Sequence, residues 1–146
     1  MDTTQLLEAA RSGDTRAIGR TLTNIENRTV DGRTALADLF RSGGCGWTTG
    51  ITGTPGAGKS TLTSALLPHV LADADKVAIV AVDPSSPFSG GAILGDRVRM
   101  AEHAGDDRVF IRSVANRGSL GGISDTTPAI VAALDGLGFG EVIIET

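Results

Sequence analysis

A glycine-rich stretch that ends in a lysine and two hydroxyl residues is the part of this sequence best suited to chemistry. Residues 53–60 match the pattern G-x-x-x-x-G-K-[ST] between a β-rich run and a segment of helical length. Glycines let backbone N–H groups turn inward on a phosphate, and the following helix adds the positive end of its dipole. The pattern favours a loop that binds a nucleoside triphosphate and does not indicate the base. The alternative is a glycine-rich turn that only caps a helix.

Two residues of this loop have separate predicted tasks. Lys59 brings a mobile positive charge to the outer phosphates and stabilises charge on a phosphoryl group in transfer. The Ser60 hydroxyl is placed to bind Mg²⁺. The residues that we expect to contact the nucleotide are Gly53, Pro55, Gly56, Ala57, Gly58, Lys59, Ser60 and Thr61.

Two carboxylates follow apolar runs at positions that favour metal binding. Asp83 ends the run KVAIVAVD, and Glu145 ends EVIIE. Ligands of parallel sheets bind at the carboxyl ends of the strands, where an acidic residue can hold Mg²⁺ directly or through water. Two simpler interpretations stay open: Asp83 could form a turn with the Pro-Ser-Ser that follows it, and Glu145 could be a charge where its strand reaches solvent.

Helices dominate the first part of the chain. Residues 3–27 are predicted to form two short helices, with Asp14 as the cap of the second, and a third is predicted around 34–41. We treat residues 1–45 as an N-terminal helical segment that precedes a nucleotide-binding domain at 46–146.

After Trp47, short β-rich runs alternate with segments of helical length. The predicted strands are 48–52, 76–82, 108–114 and 141–146, and the predicted helices lie near 59–72, 96–104 and 128–135. Pro68 should kink or break the first of these helices, and the last should have Thr127 as its cap and Pro128 at its first position. The alternation predicts an α/β fold of the P-loop NTPase type, with a mostly parallel sheet flanked by helices.

Composition excludes several classes of partner. The 146 residues are 40% hydrophobic and carry 13 basic against 17 acidic side chains, so there is no positive field to attract nucleic acid or anionic lipid. No apolar run is long enough to be a secretory signal or to span a bilayer, and we expect a cytoplasmic protein without a membrane partner. The single Cys45 is predicted to be a buried or half-buried thiol.

Four strings of the sequence together resemble the MeaB/ArgK family of P-loop GTPases. They are GITGTPGAGKST, VAVDPSSPFSGGAILGDRVRM, RSVANRGSLGG and GFGEVIIET, and the resemblance covers about residues 47–146. It implies a Mg²⁺-dependent GTPase that binds GTP and GDP and acts as a chaperone of a cobalamin-dependent acyl-CoA mutase, typically methylmalonyl-CoA mutase. Full-length relatives are expected to be homodimers.

The resemblance also assigns carboxylates to the nucleotide site. Asp83, Asp96 and Glu145 are similar to metal-site or switch residues of the family, so the metal set becomes Ser60, Asp83, Asp96 and Glu145. Asp96 falls in the first switch segment and joins Lys59 as a candidate catalytic residue. From the residues alone, Asp96 would be only the cap of a helix.

The family pattern continues beyond the last matching strand into a second switch, a guanine-reading loop and a dimerisation arm, whereas this chain ends at Thr146. It therefore resembles an N-terminal piece with an incomplete sheet. We expect slow turnover, no preference between GTP and ATP, and aggregation through unpaired strands. Two alternatives to a GTPase are a nucleotide-binding fragment without catalysis and an ATP-dependent kinase linked to lysine/arginine/ornithine transport, a label that some family members carry.

Overall fold

A computed structural model describes residues 1–83, 105–116 and 123–146, with the backbone alone for Asp83. Its helices are α1 (Thr3–Arg11), α2 (Thr15–Glu26), α3 (Val30–Arg41), α4 (Lys59–Asp73) and α5 (Thr127–Gly136). Its strands are β1 (Trp47–Ile51), β2 (Val77–Asp83), β3 (Val109–Ala115) and β4 (Glu141–Glu145). The helix predicted near 96–104 lies outside the described residues. None of the helices in the described ranges has the length and apolar character needed to cross a membrane.

The described strands form a four-stranded parallel sheet in the order β1-β4-β2-β3. Strand β4 lies between β1 and β2, and its last residue, Glu145, is opposite Ile51 of β1 and Ala81 of β2. The carboxyl ends of these strands therefore meet at one edge of the sheet, where the glycine-rich loop also begins. The predicted α/β fold with a parallel sheet is confirmed.

Alternate residues of the central strands face two different sets of helices. Val77 and Ile79 of β2 pack with Leu67 of α4 on one face. Ala78 and Val80 belong to a core on the other face that also contains residues of α1, α2, α3 and α5. Side chains of a strand point alternately to its two faces, so a continuously apolar run is buried on both. The N-terminal helices thus share one core with the sheet, and a domain boundary at residues 45 and 46 stays a prediction.

Polar contacts also join the N-terminal helices to the rest of the protein. The Arg112 guanidinium of β3 forms an ion pair with Glu26 of α2 at 2.7 Å. The Asp135 carboxylate of α5 accepts hydrogen bonds from the backbone N–H groups of Gly44 and Gly46 at 3.1 and 2.9 Å. Since these glycines immediately precede β1, Asp135 fixes the amino end of that strand.

Helix starts differ from the predicted ones at two places. Asp14 caps α2 as expected, but α3 begins earlier than predicted because the Thr29 side chain accepts a hydrogen bond from the Gly32 N–H at 3.0 Å. In α5, Thr127 is the first helical residue rather than the cap. The cap position belongs to Thr126, whose hydroxyl is hydrogen-bonded to that of Ser124 at 2.8 Å instead of to the helix.

The predictions for Pro68 and Cys45 also differ from the structure. Helix α4 continues past Pro68, so no early break occurs. Leu67 before the proline and Leu71 after it both pack against the sheet, and this packing holds the helix on both sides. Cys45 is exposed, because the glycines on either side of it are the residues that lie against Asp135.

Close packing of α5 on α3 predicts that Gly136→Ala destabilises the protein. A Cβ at Gly136 would lie 2.4 Å from the backbone oxygen of Leu39. We expect a loss of about 1–3 kcal/mol in the free energy of unfolding, measured by urea denaturation. Gly19→Ala in α2 is the control, since a Cβ there meets nothing within 4 Å, and it should stabilise by about 0.5–1 kcal/mol. Equal stability of the two variants would contradict the tight helix contact.

Candidate nucleotide-binding site

The loop between β1 and α4 has the backbone shape that its glycines predict. Gly56 and Gly58 have φ angles of 78° and 93°, in the left-handed region that side chains with a Cβ rarely adopt. Residues 52–58 are exposed. The loop is therefore accessible to a ligand from solvent, and its conformation depends on glycine at two of its positions.

The start of α4 differs from those of the first three helices. Side chains of Asp2, Asp14 and Thr29 accept hydrogen bonds from the first turns of α1, α2 and α3. Helix α4 has Gly58 at its cap position and no side-chain cap. The first N–H groups of a helix have no acceptor within the helix, and they carry the positive end of its dipole. An anion in the loop would supply the missing acceptor.

Lys59 lies over the loop that it follows. Its Nζ donates a hydrogen bond of 2.7 Å to the carbonyl oxygen of Gly53 and lies 3.5 Å from that of Thr54. The side chain is half-buried rather than extended into solvent. The ammonium group is thus held beside the loop. A phosphate bound there could replace the carbonyl oxygens as its hydrogen-bond acceptor.

The carboxylate of Glu145 connects the end of β4 to the first turns of α4. Ser60 donates its hydroxyl hydrogen bond to Glu145 Oε1, and Thr63 Oγ1 lies 3.1 Å from Oε2. Glu145 is only 3% exposed, which excludes the interpretation that it is a charge at the solvent end of its strand. None of the lysine, arginine or histidine side chains that the structure describes forms an ion pair with it. Burial of a carboxylate is costly unless hydrogen bonds replace its hydration, and the hydroxyls of Ser60 and Thr63 supply two such bonds.

The predicted metal residues are only partly brought together. Ser60 and Glu145 are in contact, and the backbone of Asp83 ends β2 at the same edge of the sheet as Glu145. The Asp83 side chain and all of Asp96 lie outside the described residues, so their roles stay predictions. Among the described side chains, no group of three or more His, Cys, Asp or Glu residues is arranged to hold a metal.

One residue of this site was not found by sequence reasoning. Thr63 lies one helical turn beyond Lys59 and Ser60, outside the glycine-rich pattern, and contacts Glu145. The only signal for it in the sequence is its helical spacing from Ser60, which places both on one face of α4. The predicted nucleotide-binding residues, Gly53 and 55–61, lie in the loop and at the start of α4, while their contacts with a nucleotide stay predictions.

A glycine-rich loop between the first strand and a helix, with an acidic residue at the end of the adjacent parallel strand, defines the chain as a P-loop protein of the NTPase class. Residues 18–146 match the family model described as methylmalonyl Co-A mutase-associated GTPase MeaB. The chain belongs to this family of GTPases, as the resemblance indicated.

Individual relatives agree with this assignment. A protein of Pyrococcus abyssi that is named as a GTPase is 43% identical over 142 residues, which are 97% of this chain and 44% of that protein. GTPase ArgK of Escherichia coli is 40% identical over 93% of this chain and 42% of its own. A fused isobutyryl-CoA mutase of Cupriavidus metallidurans is 38% identical over 96% of this chain and 13% of its own. The chain thus spans less than half the length of these relatives.

A solved structure has the same fold. The crystal structure of an LAO/AO transport system kinase superposes with a TM-score of 0.67 at 24% identity, over 99% of this chain and 42% of that one. At this identity the likeness shows the fold alone.

The left-handed conformation of Gly58 predicts that Gly58→Ala destabilises the protein even without nucleotide. An alanine at φ 93° should cost about 1–2 kcal/mol of unfolding free energy. Gly53→Ala is the matched control, because its Cβ would make an ordinary contact of 3.6 Å with Ala57 Cβ. We expect its stability to stay within about 0.5 kcal/mol of the unmodified protein. Chemical denaturation of both variants measures the difference, and an unaffected Gly58→Ala would show that the loop adopts another shape in solution.

Proposed function

We propose that this chain binds GTP together with Mg²⁺ at the loop of residues 53–60 and takes part in GTP hydrolysis in partnership with a cobalamin-dependent acyl-CoA mutase. The observation that carries the proposal is the uncapped start of α4 beneath an exposed glycine loop. Free N–H groups, a helix dipole and the Lys59 ammonium together favour a highly charged anion such as a triphosphate.

The donor set at the edge of the sheet fits a magnesium ion. Ser60 supplies a hydroxyl oxygen and Glu145 a buried carboxylate next to it, and hard oxygen donors of this kind are the ones that Mg²⁺ prefers. We propose Ser60, Asp83, Asp96 and Glu145 as the residues that hold the ion, directly or through water. When bound, the ion would neutralise charge on the phosphate oxygens.

In this proposal, the chain's own residues act by positioning and by charge. Lys59 and the first N–H groups of α4 stabilise negative charge on the phosphoryl group in transfer, because their positive charge and dipoles are already oriented before reaction. Asp96 is proposed as the second catalytic residue, on the resemblance of its segment to the first switch of the family. Burial of Glu145 keeps its carboxylate near Ser60 and out of bulk water.

The proposed partner is supported by what the relatives are called. The family description associates its GTPases with methylmalonyl-CoA mutase, and one relative is itself a fused isobutyryl-CoA mutase in which the matching part is 13% of the chain. A GTPase segment that occurs both separately and fused to an acyl-CoA mutase supports a functional association of the two. We propose that this chain acts on a mutase of that class as a chaperone.

Replacing Lys59 by alanine should weaken GTP binding without unfolding the protein. Loss of one charge-assisted contact is expected to cost about 1.5–3 kcal/mol, or roughly ten- to a hundredfold in affinity. Lys76→Ala is a matched control, since it removes the same charge from a lysine that lies over the Phe139 ring rather than at the loop. Calorimetric titration of both variants with GTP and Mg²⁺ makes the comparison. Equal affinities would exclude the proposed role of Lys59.

A mutase of the methylmalonyl-CoA type should raise the rate of phosphate release from GTP by this chain above the rate without mutase. The Lys59→Ala variant should show no such rise. Parallel reactions with labelled ATP, followed for any phosphorylated acceptor as well as for free phosphate, test the kinase alternative. Labelled acceptor without free phosphate would favour the kinase alternative, and binding of GTP without either product would favour a nucleotide-binding role alone.

A further inference from the structure

Thr63 is a fully buried hydroxyl residue at the edge of the proposed nucleotide site. It lies in the second turn of α4 and is 0% exposed. Its Oγ1 is 3.0 Å from the backbone oxygen of Lys59 and 3.1 Å from Glu145 Oε2. A single hydroxyl proton thus has two acceptors, one in its own helix and one on strand β4.

A threonine hydroxyl that donates to the carbonyl four residues earlier is common within helices, and other threonines of this chain show it. Thr34 donates to the Val30 oxygen at 3.1 Å from an exposed position. Thr63 differs in two respects, because it is completely buried and because its second acceptor is a carboxylate 82 residues away in sequence. An ionised carboxylate is a stronger acceptor than a neutral carbonyl oxygen, so the contact with Glu145 is the more favourable use of the proton.

The two hydroxyls that contact Glu145 bind different oxygens of its carboxylate. Ser60 contacts Oε1 and Thr63 contacts Oε2. A glutamate side chain has three rotatable bonds, and contacts at both oxygens fix the plane of its carboxylate. Ser60 is itself one of the proposed metal residues, whereas Thr63 is not, so Thr63 can hold the carboxylate whether or not the Ser60 hydroxyl is engaged elsewhere.

We propose that Thr63 is a positioning residue of the nucleotide site, which orients the Glu145 carboxylate toward Ser60 and thereby strengthens Mg²⁺-dependent nucleotide binding. The inference rests on the proposed function, since it assumes that Glu145 serves a metal ion bound with GTP. Thr63 touches neither the nucleotide nor the reacting atoms in this scheme. Its effect should therefore appear in the part of the affinity that depends on the metal.

Binding of a fluorescent GTP analogue, measured with excess Mg²⁺ and again with EDTA, tests the proposal on the 146-residue chain. Thr63→Val removes the hydroxyl with little change in shape. It should reduce the gain in affinity produced by Mg²⁺ roughly five- to tenfold, while the affinity in EDTA changes by less than about twofold. Thr63→Ser keeps the hydroxyl and should restore most of the gain.

Thr21→Val is the matched control, because Thr21 is also buried but its hydroxyl has no hydrogen-bond partner in the part of the chain that the structure describes. It should leave both affinities unchanged. If Thr63→Val does not fold, Thr63→Ser and Thr63→Ala, which differ by one hydroxyl, provide the same comparison.

The outcomes separate the two proposals. If the unmodified chain gains no affinity from Mg²⁺, the proposed metal-dependent function is wrong and the role of Thr63 falls with it. If it gains affinity and Thr63→Val gains as much, only the positioning role is overturned. If Thr63→Val loses as much affinity for the GTP analogue with EDTA as with Mg²⁺, Thr63 merely stabilises the fold.

Discussion

The buried carboxylate of Glu145 is the constraint on which the geometry of the candidate nucleotide site depends. It is held by hydroxyls of Ser60 and Thr63 on the first two turns of α4, and a buried polar group of this kind needs such partners to offset its loss of hydration. Because β4 is hydrogen-bonded to both β1 and β2, the carboxylate has a defined position relative to both neighbouring strands. The start of α4, and with it the phosphate loop, is therefore set against the sheet.

Strand β1 is held at both ends by contacts with other elements. Before its first residue, Asp135 of α5 accepts hydrogen bonds from Gly44 and Gly46. At its last residue, the Ile51 carbonyl oxygen accepts a hydrogen bond from the Thr146 N–H at 3.1 Å, which continues the pairing with β4. These contacts fix the point at which the loop leaves the sheet.

Much of the fold could be predicted because it depends on local regularities of the sequence. The apolar runs at 77–82 and 142–144 became strands whose residues are mostly buried, since strands covered on both faces need apolar residues at successive positions. The helix caps were less predictable. Thr126 and Thr127 are adjacent residues of the same type, and only the structure shows that Thr126, in contact with Ser124, precedes the helix.

The sequence by itself determined the phosphate loop, because its conformation depends on glycines at 56 and 58 with left-handed φ angles and on the helix that begins directly after them. It also identified Glu145 as an acidic residue at the end of a strand. Only the tertiary structure decided that this carboxylate is buried and that it meets Ser60 and Thr63, which lie 85 and 82 residues away. The reason is physical: backbone dihedrals and periodicity act between neighbours along the chain, whereas these contacts depend on the strand order β1-β4-β2-β3, which brings β4 beside β1 and thus beside the start of α4.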